Sequence, residues 1–254
     1  MTKRLFVSVV MLAGQCCAHA ASVEIHPAGP TIPENLLRME LRFARPQPLP
    51  FDSRRLKLVD ADGREIENAL LDLTLPSADG RRITVLMDPG RVKSGVGPNL
   101  DAGRAIRAGA MVSLRIDDAT VGNSSVAKTW RVTAAVSHPI EPGTWQLSSP
   151  QADSRDPLVV DLREPISSSG EGLMAVLDAG GHLVRGKTAL AGGDATWRFT
   201  PARPWRLGLH TLITRPDLED AAGNRLCAAF EQLHASTVSC HTGARIPFEP
   251  RRTR

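Results

Sequence analysis

The chain reads as all-β, two tandem β-sandwiches behind a cleaved leader. Short runs of strict apolar/polar alternation recur along its length, clusters of Gly, Pro, Asp and Asn separate them, and the second half repeats the first at an offset of 118 residues. Nowhere do apolar residues keep helical spacing over three turns.

In chain order, the leader comes first. "MTKRLFVSVVMLAGQCCAHAAS" combines a basic start (Lys3, Arg4), an apolar run from Leu5 to Gly14 and the small residues Ala18 and Ala20, the pattern of a secretory signal peptide over 1–20. An apolar run of about ten residues falls short of the ~20 that cross a bilayer, so no transmembrane segment is expected. Gln15 before Cys16 does not suit a lipobox.

The first sandwich is expected over 22–135. "LLRMELRF" puts Leu37, Met39, Leu41 and Phe43 on one face and Arg38, Glu40 and Arg42 on the other, a half-buried strand. "RLKLV" (Arg55–Val59), "RITVLM" (Arg82–Met87), "MVSLRI" (Met111–Ile116) and "TWRVTA" (Thr129–Ala134) follow. "VSHPIEPG" (Val136–Gly143), with two prolines and a glycine, breaks the pattern and reads as the linker. The second sandwich, expected over 143–234, then runs through "TWQLS", "PLVVDL", "LMAVLD", "TWRFT", "LHTLIT" and "CAAFEQL". "LVDADGREI" (Leu58–Ile66) aligns with "VLDAGGHLV" (Val176–Val184), each a strand, a Gly-containing turn and a strand. The strands at Leu37–Phe43 and Leu158–Leu162 should occupy equivalent places. About seven short strands per copy suit a sandwich.

Residues 235–254 are expected to be a basic tail. The formal charge of +4 falls to +2 without Lys3 and Arg4, and "RIPFEPRRTR" alone carries four arginines against one glutamate. The body is near neutral, which gives no footprint for nucleic acid. Once the leader is gone, Cys227 and Cys240 are the remaining cysteines, and export to an oxidising compartment favours a disulfide between them, pinning the tail. Its ~14-residue loop contributes roughly 3 kcal/mol in the chain-entropy treatment.

"IPENLLRMELRFARP", "VDADGREI" and "ATWRFTPARPW…LGLHTLITRPDLEDAAGNRL" together resemble the SbsA-type immunoglobulin-like domains of bacterial secreted and surface-layer proteins, over most of Val23–Gln232. The resemblance implies two tandem immunoglobulin-like β-sandwiches and a periplasmic or secreted, non-enzymatic binding or spacer role at the cell envelope. Partners would be an envelope protein or polysaccharide. Such sandwiches host many roles, so fold alone does not select one.

"PDLEDAAGNRL" (Pro216–Leu226) invites a calcium reading through Asp217, Glu219, Asp220 and Asn224. Calcium wants six to eight oxygens, and the spacing fails the EF-hand pattern, so the stretch reads instead as a turn in which Asp bonds backbone amides and Gly223 supplies positive φ. A copper carrier similar to the CopC-like family would need a histidine at the mature N-terminus; His26 lies a few residues in, and the seven histidines form no close pair. "SSSGEG" (Ser167–Gly172) has no adjacent base to activate a hydroxyl, and "GRVKSGVG" places its lysine before the second glycine, unlike a phosphate loop. No catalytic residue and no cofactor are expected. Trp130 and Trp197 sit in strand patterns and Trp145 and Trp205 beside proline-rich turns, with core or hinge packing expected over sugar stacking.

Overall fold

A computed structural model describes residues 23–95, 97–118, 124–231 and 241–252. The leader, Cys240 and His234 lie outside the described residues.

Fifteen strands are assigned among these residues. In the first half, β1 (Val23–His26), β3 (Arg38–Phe43), β6 (Arg82–Met87) and β5 (Leu70–Pro76) form one sheet in the order β1-β3-β6-β5. The facing sheet is β2-β8-β7-β4, from β2 (Thr31–Pro33), β8 (Ser124–Thr133), β7 (Met111–Asp118) and β4 (Leu56–Val59). Alternation aims one face of each sheet at the other: Met39 pairs with Val85 and Leu41 with Ile83, and all four meet Leu58, Leu114, Ile116 and Trp130 in one core.

The second half repeats this arrangement. β9 (Gln146–Ser148), β10 (Leu158–Asp161), β13 (Thr196–Pro201) and β12 (Gly186–Ala191) lie in the order β9-β10-β13-β12; β11 (Met174–Leu177), β14 (His210–Thr214) and β15 (Arg245–Phe248) form the facing sheet. Leu158, Val160, Val176, Trp197, Phe199, Leu212 and Phe248 build a separate core. β3 and β10 hold equivalent places, each second in its sheet. Even the parallel pairing of β2 with β8 has a counterpart, the isolated parallel bridge between Gln151 and Arg251. This is the architecture of two tandem immunoglobulin-like sandwiches.

Two expectations are corrected. "CAAFEQL" is not the final strand: its described part, Cys227–Glu231, is turn and irregular chain. The final strand is β15, inside the stretch expected to be a disulfide-pinned basic tail. "RIPF" is short and arginine-led, which hides it from a hydropathy reading, yet it pairs with β14 from Ile213↔Arg245 to His210↔Phe248 and places Phe248 against Trp205. All four tryptophans are buried, three donating through Nε1: Trp130 to the Pro27 carbonyl (2.9 Å), Trp197 to Glu171 (3.1 Å) and Trp205 to Asp156 (2.8 Å).

Candidate functional site: the seam between the sandwiches and its cleft

The seam begins with a strand that is buried on both faces. The sequence places Arg38, Glu40 and Arg42 on the solvent side of β3, but Glu40 is only 2 % exposed. The second sandwich covers it. Ser167 Oγ donates to the Glu40 carboxylate at 2.9 Å, Ser168 Oγ donates to its other oxygen, and the Ser169 amide adds a third bond at 3.1 Å. Burial by itself would raise the Glu40 pKa, but the bonds from Ser168, Ser167 and Ser169 outweigh it and hold the carboxyl below its ordinary value. "SSSGEG" thus acts as a carboxylate cradle. On either side of Glu40, Arg42 pairs with Glu171 at 3.0 Å and donates to the Ser168 carbonyl at 2.7 Å, while Arg38 pairs with Glu219.

A second contact lies at the turn between β12 and β13. Asp194, 2 % exposed, accepts from the Ala28 amide at 2.6 Å, and its oxygens stand 3.0 and 3.1 Å from His26 Nδ1. His26, the histidine nearest the expected mature start, thus bonds the second sandwich through Nδ1.

The third contact is "PDLEDAAGNRL". Asp220 Oδ1 accepts from the Ala222 and Asn224 amides at 2.8 and 2.9 Å, and the Gly223 amide bonds the Asp220 carbonyl at 3.2 Å with Gly223 at φ +83°. The same pattern occurs at Asp60, which accepts from the Asp62 and Arg64 amides, and at Asp178, which accepts from Gly180 and His182. In each, glycine follows three residues later at positive φ. The turn predicted from Asp, Gly and Asn is present. The four residues weighed for calcium do not converge: Asp217 faces Arg215 at 2.9 Å, Glu219 bridges Arg38 and Arg225, and Asp220 and Asn224 bond each other at 2.8 Å.

This third turn is pushed into the first sandwich. The Leu37 and Arg38 amides donate to the Ala221 carbonyl (2.9 and 3.2 Å), and Ala221 and Phe230 pack against the first core. Asn224 Nδ2 donates to the Val136 carbonyl at 2.9 Å, which Asn35 Nδ2 also reaches at 2.7 Å, so the first linker residue is held from both sides. Burial, with repulsion from Glu164 adding to it, pushes the Asp220 pKa up to about 6 despite its bonds from Asn224 and Ala222.

Beside this turn opens a cleft of about 240 Å³. The linker supplies His138, Ile140 and Glu141, the start of the second sandwich Thr144 and Trp145, and the loop after β10 supplies Leu162 through Ile166, with Asp220 also lining it. His138 Nε2 lies 3.4 Å from Glu164, and its pKa is raised by the Pro139 carbonyl bond and by the carboxylates of Glu164, Glu141 and Asp220.

Sequence reasoning missed Glu40, Glu171, Asp194 and the Ser167–Ser169 cradle. A charged residue on the outer face of a strand looks the same whether water or a second domain covers it. The one available signal was the third Asp-x-x-Gly, which repeats the pattern of the other two turns.

No family model and no curated protein sequence matches the chain. Among solved structures, similarity extends to the N-terminal Ig1-2 module of the Drosophila receptor protein tyrosine phosphatase DLAR, at 12 % identity and TM-score 0.26, covering 78 % of this chain and 92 % of that one. Domains 4–9 of the surface-layer protein SbsC match at 10 % identity and TM-score 0.24, covering 91 % of this chain and 31 % of theirs. The MG0-NIE-MG1 portion of Escherichia coli alpha-2-macroglobulin matches at 11 % and 0.24, over 70 % and 61 %. At these TM-scores the fold stands on the chain's own two pairs of sheets.

Proposed function

We propose that the chain is a periplasmic or secreted, non-enzymatic binding and spacer protein of the cell envelope, of the SbsA-type immunoglobulin-like kind, with two units (22–135 and 143 onward) held at a fixed angle. The observation that carries this reading is the doubly buried β3: Arg38, Glu40 and Arg42 each bond the second sandwich. Tandem domains move relative to one another by default unless their interface restrains them. Here, separating the units would break the three serine bonds to Glu40 and the two flanking arginine ion pairs together. A fixed pair of sandwiches suits holding a partner surface at a set distance. A protein partner is favoured over a polysaccharide, because the four tryptophans that could stack on sugar rings all lie in the cores.

The rival reading of a copper-type or small-ligand carrier is not favoured, since among the described residues no group of three His, Cys, Asp or Glu side chains is placed to hold a metal ion. That of an accessory subunit of an envelope enzyme is compatible with the same seam. The Cys227–Cys240 bridge is part of the proposal, and titration of oxidised, unfolded protein should find no reactive thiol from this pair.

The test joins two measurements on the purified chain. Small-angle scattering should fit one rigid arrangement, and Glu40→Ala should broaden it. Pulldown from envelope extract should recover a partner. A wild-type scattering profile that needs a freely jointed pair would refute the spacer reading, and a copper-loaded protein would favour the carrier.

A further inference from the structure

The cleft beside the linker has the walls and the charge of a side-chain pocket. Ile140, Leu162, Ile166 and Trp145 give it an apolar lining, while Glu141 and Glu164 add two exposed carboxylates and Asp220 a buried one whose oxygens are bonded within its turn. Two groups could neutralise them. Arg163, itself part of the lining, is held by Asp161 at 3.6 Å and the Thr144 carbonyl at 3.5 Å. His138 stands against Glu164 and occupies it only when protonated. An apolar wall with an anionic rim matches a side chain that has a hydrocarbon stem and a cationic head, which is the amphipathic build of lysine and arginine. The volume matches as well: about 240 Å³ admits one long side chain and excludes a folded element.

We propose that this cleft is a recognition pocket for a single lysine or arginine side chain of a protein partner, its stem against Ile140 and Leu162 and its cation at Glu164. The inference rests on the binding reading above and gives that reading its contact point. Because the pocket straddles the linker, an occupant would touch the segment that the seam holds, so the fixed angle between the units presents the pocket in one orientation. His138 then competes with the ligand for Glu164.

Calorimetric titration of the purified chain with N-acetyl-arginine methylamide tests it, with N-acetyl-norleucine methylamide as the neutral control. The blocked arginine should bind in the millimolar range and the norleucine at least ten-fold more weakly. Glu164→Gln, a change at a half-exposed side chain, should weaken arginine binding at least five-fold. His138→Ala should tighten it two- to three-fold by freeing Glu164, an effect that damage to the fold would not produce. Glu65→Gln, in the first sandwich, should change nothing. Equal binding of the two ligands, or insensitivity to Glu164→Gln, overturns the pocket. Sedimentation supplies a further arm: self-association abolished both by replacing Arg251 and Arg252 and by Glu164→Gln would make a second copy's tail the occupant and overturn the assignment to a separate protein partner. Failure of the pocket is distinguishable from failure of the binding role. A partner pulled down equally by wild-type and Glu164→Gln chains leaves the role standing without this contact, and absence of any partner leaves the calorimetry to judge the pocket alone.

Discussion

Asp178 and Asp220 sit in the same turn and behave oppositely. Each accepts two amides through one carboxylate oxygen, at 2.8–3.0 Å, and each is followed three residues later by a glycine at positive φ. The Asp178 turn lies in solvent, where the His182 amide bond leads in holding its pKa below the ordinary value. The Asp220 turn is buried in the seam, and its pKa is pushed up to about 6. Local bonding is thus set by the Asp-x-x-Gly sequence, whereas the charge state is set by what covers the turn.

The largest effect expected from this contrast comes from the glycines. A Cβ on Gly181 (φ +77°) meets nothing within 4 Å, but one on Gly223 (φ +83°) would lie 2.6 Å from Leu37 Cδ2 and 3.4 Å from the Phe230 ring. Gly181→Val should cost about 1–3 kcal/mol of backbone strain. Gly223→Val adds overpacking to the same strain and should cost about 3–5 kcal/mol. Denaturant titration checks the order, and equal losses would mean that the seam yields freely around the turn.

Titration sharpens the contrast next. A carboxyl whose folded pKa is raised binds its proton more tightly in the folded state, so the stability from Asp220 is present below about pH 4 and is lost as pH rises to about 6. The shift from 3.8 to about 6 corresponds to roughly 3 kcal/mol at most. Asp178 has the opposite sign, its contribution being present above its unfolded pKa and lost on acidification. Asp220→Asn should therefore flatten the decline in stability between pH 4 and 6, read as melting temperature against pH, whereas Asp178→Asn should leave that decline in place.

A smaller effect separates the two buried carboxylates of the seam. Glu40 is also buried, yet three serine donors keep its pKa lowered, so it stabilises at neutral pH and that stability is lost in acid. Glu40→Gln keeps one acceptor oxygen but puts an amide against the donors, and should cost about 1–3 kcal/mol at pH 7 with little change near pH 3. A loss that is the same at both pH values would show that shape, not charge, matters there.

The smallest expected change is none. Because Asp217, Glu219 and Asp220 turn to Arg215, to Arg38 and Arg225, and to backbone amides, calcium or chelator should leave the melting temperature where it is. A rise with calcium would mean that these carboxylates regroup around the ion.

What the sequence determined by itself is local and periodic. Alternation in "LLRMELRF" set Met39, Leu41 and Phe43 toward the core, the repeat at offset 118 set β3 and β10 in matching places, and Asp and Gly at fixed spacing closed the turns at Asp60 and Asp178. Each follows from interactions between residues near in sequence, or from a period of two that a pleated strand enforces. Tertiary structure decided the rest. It alone buried the charged face of β3, turned "SSSGEG" into a cradle for Glu40, drove the third Asp-x-x-Gly turn against Leu37, and made a strand of "RIPF". Those outcomes depend on which surface meets which across more than 100 residues of chain, as between Glu40 and Ser167, and a pattern of polar and apolar residues does not say what will cover a polar face.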